Sequence, residues 1–181
     1  VSRLSEQKGL DLLIEALPAL IENGGQLIVL GAGDARIESA LRDAAERNPA
    51  NVALRIGYDE ALAHRMIEGG DAILVPSRFE PCGLTQMYGL RFGTLPVVSL
   101  TGGLADTVIN ASAAGVAAGV ATGLQFHPVD APALSRALRR LCALWQQPKL
   151  WQRMVRNAMA QPVGWDASAQ TYADLFRTMT D

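Results

Sequence analysis

Residues 72–86 have the sequence AILVPSRFEPCGLTQ, an apolar run followed by a polar turn and the start of a second element. The run at 72–75 is typical of a buried strand, and residues 84–92 have the length and composition of a short helix. Backbone N–H groups at a helix start have no partner inside the helix and carry the positive end of its dipole, so they bind anions. The stretch therefore predicts a site for phosphate and sugar oxygens.

The same alternation of strands and helices extends on both sides of this stretch. The sequence predicts strands at 26–31, 52–56, 71–75, 95–98 and 124–126 and helices at 10–21, 35–47, 60–68 and 84–92. Strands separated by helices indicate right-handed crossovers and a parallel sheet with helices on both faces, which is a Rossmann-like α/β fold. Ligands of such sheets lie at the carboxyl ends of the strands.

The two ends of the chain are predicted to differ from this pattern. Residues 1–4 resemble the end of a strand, and residues 111–121 are either a surface loop or a frayed helix. From residue 130 the apolar spacing predicts helices only. We expect residues 1–161 to form the Rossmann-like domain and residues 162–181 to form an additional C-terminal helix.

Composition excludes several classes of partner. A chain of 181 residues with 49% hydrophobic content is sufficient for one packed domain. The net charge of -2 provides no basic face for nucleic acid or an anionic membrane. Cys82 and Cys142 match no zinc or disulfide spacing, and no apolar run approaches the roughly 18 residues of a membrane-spanning helix. We expect a cytoplasmic protein with no nucleic-acid partner, no membrane partner and no metal.

Two cations flank the turn before the first predicted helix. Arg3 and Lys8 are five residues apart, and positive charge at a helix N-terminus is unfavourable unless an anion binds there. This argues for a bound diphosphate. Two solvated surface charges explain the spacing equally well.

Glu80 is the candidate catalytic residue. Pro81 and Gly83 favour a sharp turn beside it, and Thr85 can add a hydroxyl at the helix start. The alternative role is that of an acid that stabilises the helix dipole. Cys82 is by default a small buried residue, although a thiol near a helix N-terminus can be reactive.

Other loops at the predicted carboxyl edge add candidate ligand contacts. Tyr58 can stack on a nucleotide base or cover the core. Gly102 and Gly103 allow a ligand close to the backbone, or form a structural turn. The segment GAGD at 31–34 suggests a dinucleotide site, but Arg36 replaces the third glycine of that motif, which disfavours a dehydrogenase.

Three stretches together resemble the bacterial glycogen synthase and plant starch synthase family. They are VSRLSEQKG at residues 1–9, VPSRFEPCGLTQ at 75–86 and TGGLADTV at 101–108. The resemblance implies a GT-B glycosyltransferase, in which two Rossmann-like domains face each other across a cleft. This chain resembles the C-terminal domain, with residues 162–181 crossing toward an N-terminal domain that is absent from the sequence.

The resemblance also implies a reaction and residue roles. ADP-glucose would donate glucose to the non-reducing end of an α-1,4-glucan with retention of configuration and without a metal, and the acceptor would bind mainly to the N-terminal domain. Arg3 and Lys8 would neutralise the diphosphate, Glu80 would support charge at the sugar, and Tyr58 would stack on adenine. The remaining donor contacts would come from Cys82, Gly83, Leu84, Thr85, Gly102 and Gly103.

One position departs from related glycosyltransferases. They carry a second glutamate eight residues after the first, where this chain has Tyr88. The sequence therefore gives no basis for assuming a carboxylate that holds the ribose. The alternative function is a free-standing nucleotide-sugar-binding or regulatory module without catalysis.

Overall fold

The computed structural model describes residues 1–180, except for the side chains at positions 167 and 180. Helices and strands alternate from residue 10 to residue 99, as the sequence predicts. The strands are β1 (Leu27–Gly31), β2 (Val52–Ile56), β3 (Ala72–Val75), β4 (Leu95–Ser99) and β5 (Leu124–Phe126). The helices are α1 (Leu10–Ile21), α2 (Ala35–Arg47), α3 (Glu60–Gly69), α4 (Thr85–Phe92), α5 (Gly102–Thr107), α6 (Ala113–Ala118), α7 (Ala131–Trp145), α8 (Pro148–Met159) and α9 (Trp165–Thr180).

The strands are parallel but form two sheets. β1 pairs with β2, and β4 lies between β3 and β5. The α/β class with helices flanking parallel strands is confirmed, whereas the predicted single sheet is divided between β1 and β3. Near this division the described residues form one isolated parallel bridge, from Leu4 to Gly33.

The core explains why the strands are apolar throughout. All five residues of β4 are buried, as expected for a strand with helices on both faces. One large hydrophobic cluster includes the inner faces of α1 and α7, where Leu13, Leu17, Leu134 and Leu138 are buried. This packing fixes the sheet and therefore the loops at its carboxyl edge.

Three segments refine the predictions for loops and ends. Residues 102–107 form the short helix α5 instead of a simple turn, and the alternatives for residues 111–121 resolve to α6 with flanking loops. Helix α9 exposes Trp165, Tyr172 and Phe176. The boundary at residue 161 stays a prediction. Among the described residues, no helix combines the length and apolarity needed to cross a membrane.

Candidate active site

Glu80 lies at the centre of the candidate site. It is only 9% exposed, and its Oε2 accepts an ion-paired hydrogen bond from Lys8 Nζ. The Ser77 hydroxyl donates to the same oxygen at 3.2 Å. The other oxygen, Oε1, accepts no hydrogen bond within the part of the chain that the structure describes, so it is available to a ligand. The ion pair with Lys8 offsets the cost of burying this carboxylate.

Arg78 holds the two loops of the site together. Its backbone N–H donates to the Gln7 carbonyl at 2.9 Å. Its guanidinium donates to both carboxylate oxygens of Asp11, at 2.7 and 2.6 Å, and these bonds lower the pKa of Asp11. Asp11 is on α1 and Arg78 follows β3, so this pair fixes the loop that carries Lys8 against the loop that carries Glu80. Sequence reasoning assigned no role to either residue.

The start of α4 supplies unpaired backbone donors. No side chain caps this helix, and the N–H groups of Gly83, Leu84 and Thr85 donate to no acceptor in residues 1–180. Gly83 has φ +74, and a Cβ there would lie 2.5 Å from Gln86 Oε1. The turn therefore requires glycine, and it leaves three amides at the positive end of a helix, beside Glu80.

Gly102 and Gly103 allow a close approach of the protein backbone. A Cβ at Gly102 would lie 2.1 Å from the Glu80 carbonyl oxygen, and one at Gly103 would lie 2.5 Å from the Cys82 carbonyl oxygen. The Gly103 N–H also donates to the carbonyls of Glu80 and Pro81, each at 3.2 Å. The two glycines thus support the Glu80 turn directly, which agrees with the structural alternative that the sequence left open for them.

Gln86 is a second supporting residue that sequence reasoning missed. It is fully buried, and its Nε2 donates to the carbonyls of Cys82 and Gly83 at 3.0 and 2.9 Å and to Thr107 Oγ1 at 3.2 Å. Thr107 in turn donates to the Gly103 carbonyl at 2.6 Å. The sequence contained one indication of this role. Gln86, whose side chain is an amide, precedes Gly89 by three residues and therefore lies on the same face of the predicted helix.

The GAGD segment has a structural explanation. A Cβ at Gly31 would lie 2.0 Å from the Ser2 carbonyl oxygen, and one at Gly33 would lie 2.3 Å from the Leu4 carbonyl oxygen. Asp34 caps α2 by accepting from the Arg36 N–H at 2.8 Å. These glycines therefore pack against residues 2–4, and the geometry offers no support for a dinucleotide site.

Comparison with known proteins identifies the family. The model of the family "Glycosyl transferases group 1" matches residues 1–161. This chain belongs to that glycosyl transferase family. It is 78% identical over 179 residues to a glycogen synthase of Paracoccus denitrificans and 61% identical to one of Cereibacter sphaeroides. Both comparisons include 99% of this chain. The matched region is only 38% and 37% of the length of those two relatives.

A solved structure places the same fold in a glycosyl transferase. The catalytic domain of starch synthase IV from Arabidopsis thaliana, bound to ADP and acarbose, is similar with a TM-score of 0.87 and 32% sequence identity. The comparison covers 98% of this chain and 37% of that one. The predicted resemblance to glycogen and starch synthases is therefore confirmed.

Two predicted site residues make no hydrogen bond to the Lys8–Glu80 pair. Arg3 is exposed, and its side chain makes no hydrogen bond or ion pair within residues 1–180. Tyr58 is 86% exposed and follows the carboxyl end of β2. Both are on loops at the carboxyl edge with their functional groups free. Tyr88, eight residues after Glu80, contacts the ring of His64 at 5.7 Å between centroids.

Proposed function

We propose that this chain is the nucleotide-sugar-binding domain of a glycogen synthase and that its donor is ADP-glucose. Two relatives that bear that name are 78% and 61% identical to it, and the similar starch synthase structure contains ADP. These identities favour the proposal over a free-standing binding module. The chain spans less than two fifths of those relatives, so the activity belongs to a longer protein.

The observation that carries the proposal is a buried carboxylate that is paired with Lys8 and lies beside unpaired backbone amides. Breaking a glycosyl–phosphate bond leaves negative charge on the diphosphate and positive character on the sugar. Fixed groups of both signs stabilise that transition state. The amides of Gly83, Leu84 and Thr85 and the cations Arg3 and Lys8 suit the diphosphate, and Glu80 suits the sugar.

Lys8 has a double role in this proposal. Without donor it neutralises Glu80, which removes the cost of burying an unpaired carboxylate. A diphosphate at the start of α4 offers Lys8 a second anionic partner. Because protein cations neutralise the leaving group, the proposed reaction requires no metal.

The proposal also includes an acceptor, further donor contacts and a cellular location. The α-1,4-glucan acceptor would bind mainly to the N-terminal part of the longer protein and receive glucose at its non-reducing end, with retention of configuration. Tyr58 would stack on adenine, and exposed Cys82 would lie near the donor. Both cysteines are free, which supports a reducing, cytoplasmic location.

The test is the turnover of the full-length enzyme with Glu80→Gln. We expect it to fall by about 100-fold to 1000-fold, as for the loss of one positioned electrostatic group, in an assay that contains EDTA. Glu22→Gln, at the exposed end of α1, is the matched control and should retain normal turnover. Equal turnover of the two variants would reduce Glu80 to a structural role.

A further inference from the structure

A cavity lies at the amino-terminal ends of the strands, at the opposite edge from Glu80. Its volume is about 280 Å³. Gln26 and Asp71 line it, and they directly precede β1 and β3. Glu80 follows β3, so the four residues of that strand, at about 3.3 Å each, separate the cavity from the donor site. The cavity is therefore a separate feature of the surface.

Two of the three tryptophans of the chain line this cavity. Trp145 is the last residue of α7 and is 49% exposed, and Trp151 lies on α8 and is half-buried. The buried side chains of Leu20 and Leu141 also line the cavity. Pockets that bind small molecules have this combination of a concave shape with apolar and aromatic walls.

Four polar side chains complete the part of the lining that the argument uses, and they are Asn23, Gln26, Asp71 and Gln146. The amide nitrogens of Asn23 and Gln26 already donate to backbone carbonyls, at 2.8 and 3.2 Å, which leaves their side-chain oxygens as acceptors. The side chains of Asp71 and Gln146 make no hydrogen bond or ion pair within the described residues. The lining therefore offers several unused acceptors beside the two indoles.

The charge of the lining excludes a phosphate-bearing ligand. No Lys, Arg or His is among the described residues that line the cavity, and phosphate groups are bound by such cations. The unused acceptors instead require a ligand that carries several hydroxyl donors. The indoles require a ligand that also has an apolar face.

A neutral sugar ring meets both requirements. Its hydroxyl groups lie around the edge of the ring, where they reach side-chain oxygens. Its faces consist of C–H groups with a small positive charge, and the face of an indole is negative. The chemistry of the lining therefore favours a sugar over a nucleotide.

We propose that this cavity is a second carbohydrate site, which binds glucose units of an α-1,4-glucan away from the catalytic centre. The choice of glucan among sugars rests on the proposed function. A branched polymer can occupy this cavity with one chain while another chain end reaches the active site. Binding at the cavity then raises the local concentration of chain ends at the active site.

The first test is a titration of maltotriose into this chain, followed by NMR of the indole N–H signals. The signals of Trp145 and Trp151 should shift, whereas the signal of Trp165, which lies outside the cavity, should stay. Trp145→Ala should bind maltotriose at least about fivefold more weakly, as for the loss of an aromatic anchor. Gln152→Ala, on the exposed side of α8, is the control variant and should bind like wild type. Sorbitol, an open-chain polyol without a ring, should shift neither signal.

The second test measures the kinetics of the full-length enzyme. Trp145→Ala should raise the KM for glycogen at least about fivefold, whereas kcat and the KM for ADP-glucose should not change. With maltotriose as the acceptor the variant should match wild type, because so short a chain cannot occupy both sites. Gln152→Ala should match wild type with both acceptors.

The outcomes separate the possible ligands. Indole signals that do not shift at millimolar maltotriose in a folded chain would overturn the proposal, and so would equal affinity in Trp145→Ala. A shift that choline causes and maltotriose does not would assign the cavity to an amine and would also overturn it. If Trp145→Ala does not fold, Asp71→Ala, which removes an exposed carboxylate, replaces it in both tests.

Failure of this inference is distinguishable from failure of the proposed function. A chain that binds ADP-glucose but not maltotriose would overturn the second site alone. A chain that binds maltotriose at the two tryptophans but not ADP-glucose would overturn the proposed donor site alone.

Discussion

Gly9 is the position where a single methyl group should disturb both stability and the site. It has φ +67, it ends the short turn at Glu6–Lys8, and it precedes α1. A Cβ there would lie 2.0 Å from the Pro76 carbonyl oxygen. Gly9→Ala must therefore push the loop of Lys8 away from the segment that leads to Glu80.

Gly24 provides a matched control because it shares the backbone conformation without the contact. Its φ is +78, and a Cβ would meet nothing within 4 Å. Alanine in this left-handed region costs about 1–2 kcal/mol. At Gly9 the displacement of packed backbone adds about 1–3 kcal/mol, so the total is about 2–5 kcal/mol.

Calorimetry of the two variants measures the difference. For a chain of this size each kcal/mol lowers Tm by about 2–4 °C, so Gly24→Ala should cost a few degrees and Gly9→Ala clearly more. ADP-glucose binding should weaken in Gly9→Ala only. If Tm decreases equally in both variants and both bind the donor equally well, the close packing of the two loops does not support the site.

Two further predictions concern the loops of the site. Asp11→Asn should lower stability by about 1 kcal/mol at pH 7, because the pair with Arg78 is bidentate but about one third exposed. Since the folded pKa of Asp11 is depressed, this stability is present above the unfolded pKa of about 3.9 and is lost as pH falls through the folded pKa. Urea unfolding at pH 7 and pH 2 should show a smaller difference at pH 2, and a difference of the same size at both pH values would contradict it. Iodoacetamide should label exposed Cys82 before Cys142, because burial raises the pKa of the Cys142 thiol. ADP-glucose should slow the labelling of Cys82. An unchanged labelling rate would place that thiol away from the donor.

The fold was largely predictable because local patterns determine it. The continuous apolar run before Gly31 and the spacing of apolar residues in 10–21 correspond to β1 and α1. The division into two sheets was not predictable from such patterns. It depends on which strand edges are paired, and pairing across a sheet joins residues far apart in sequence.

The sequence predicted which residues form the site better than it predicted the contacts between them. Residue type and the turn around Pro81 indicated Glu80, and spacing indicated Lys8. Their ion pair joins residues 72 positions apart and depends on Arg78, whose bond to Asp11 no local pattern reveals. Likewise, the sequence left open whether Gly102 contacts a ligand or forms a structural turn, and it did not reveal that the backbone of Glu80 fills the space that a side chain at Gly102 would take.

The most direct test of the central claim is a calorimetric titration of ADP-glucose into this chain and into Arg3→Ala. The Arg3 side chain makes no hydrogen bond or ion pair within the described residues, so its removal should leave the fold intact. We expect wild type to bind and Arg3→Ala to bind at least about tenfold more weakly, because a charge-assisted bond to phosphate contributes about 1.5–3 kcal/mol. Arg42→Ala, on the exposed face of α2, should bind like wild type. A chain that is folded by circular dichroism but shows no heat of binding at millimolar ADP-glucose would contradict the account.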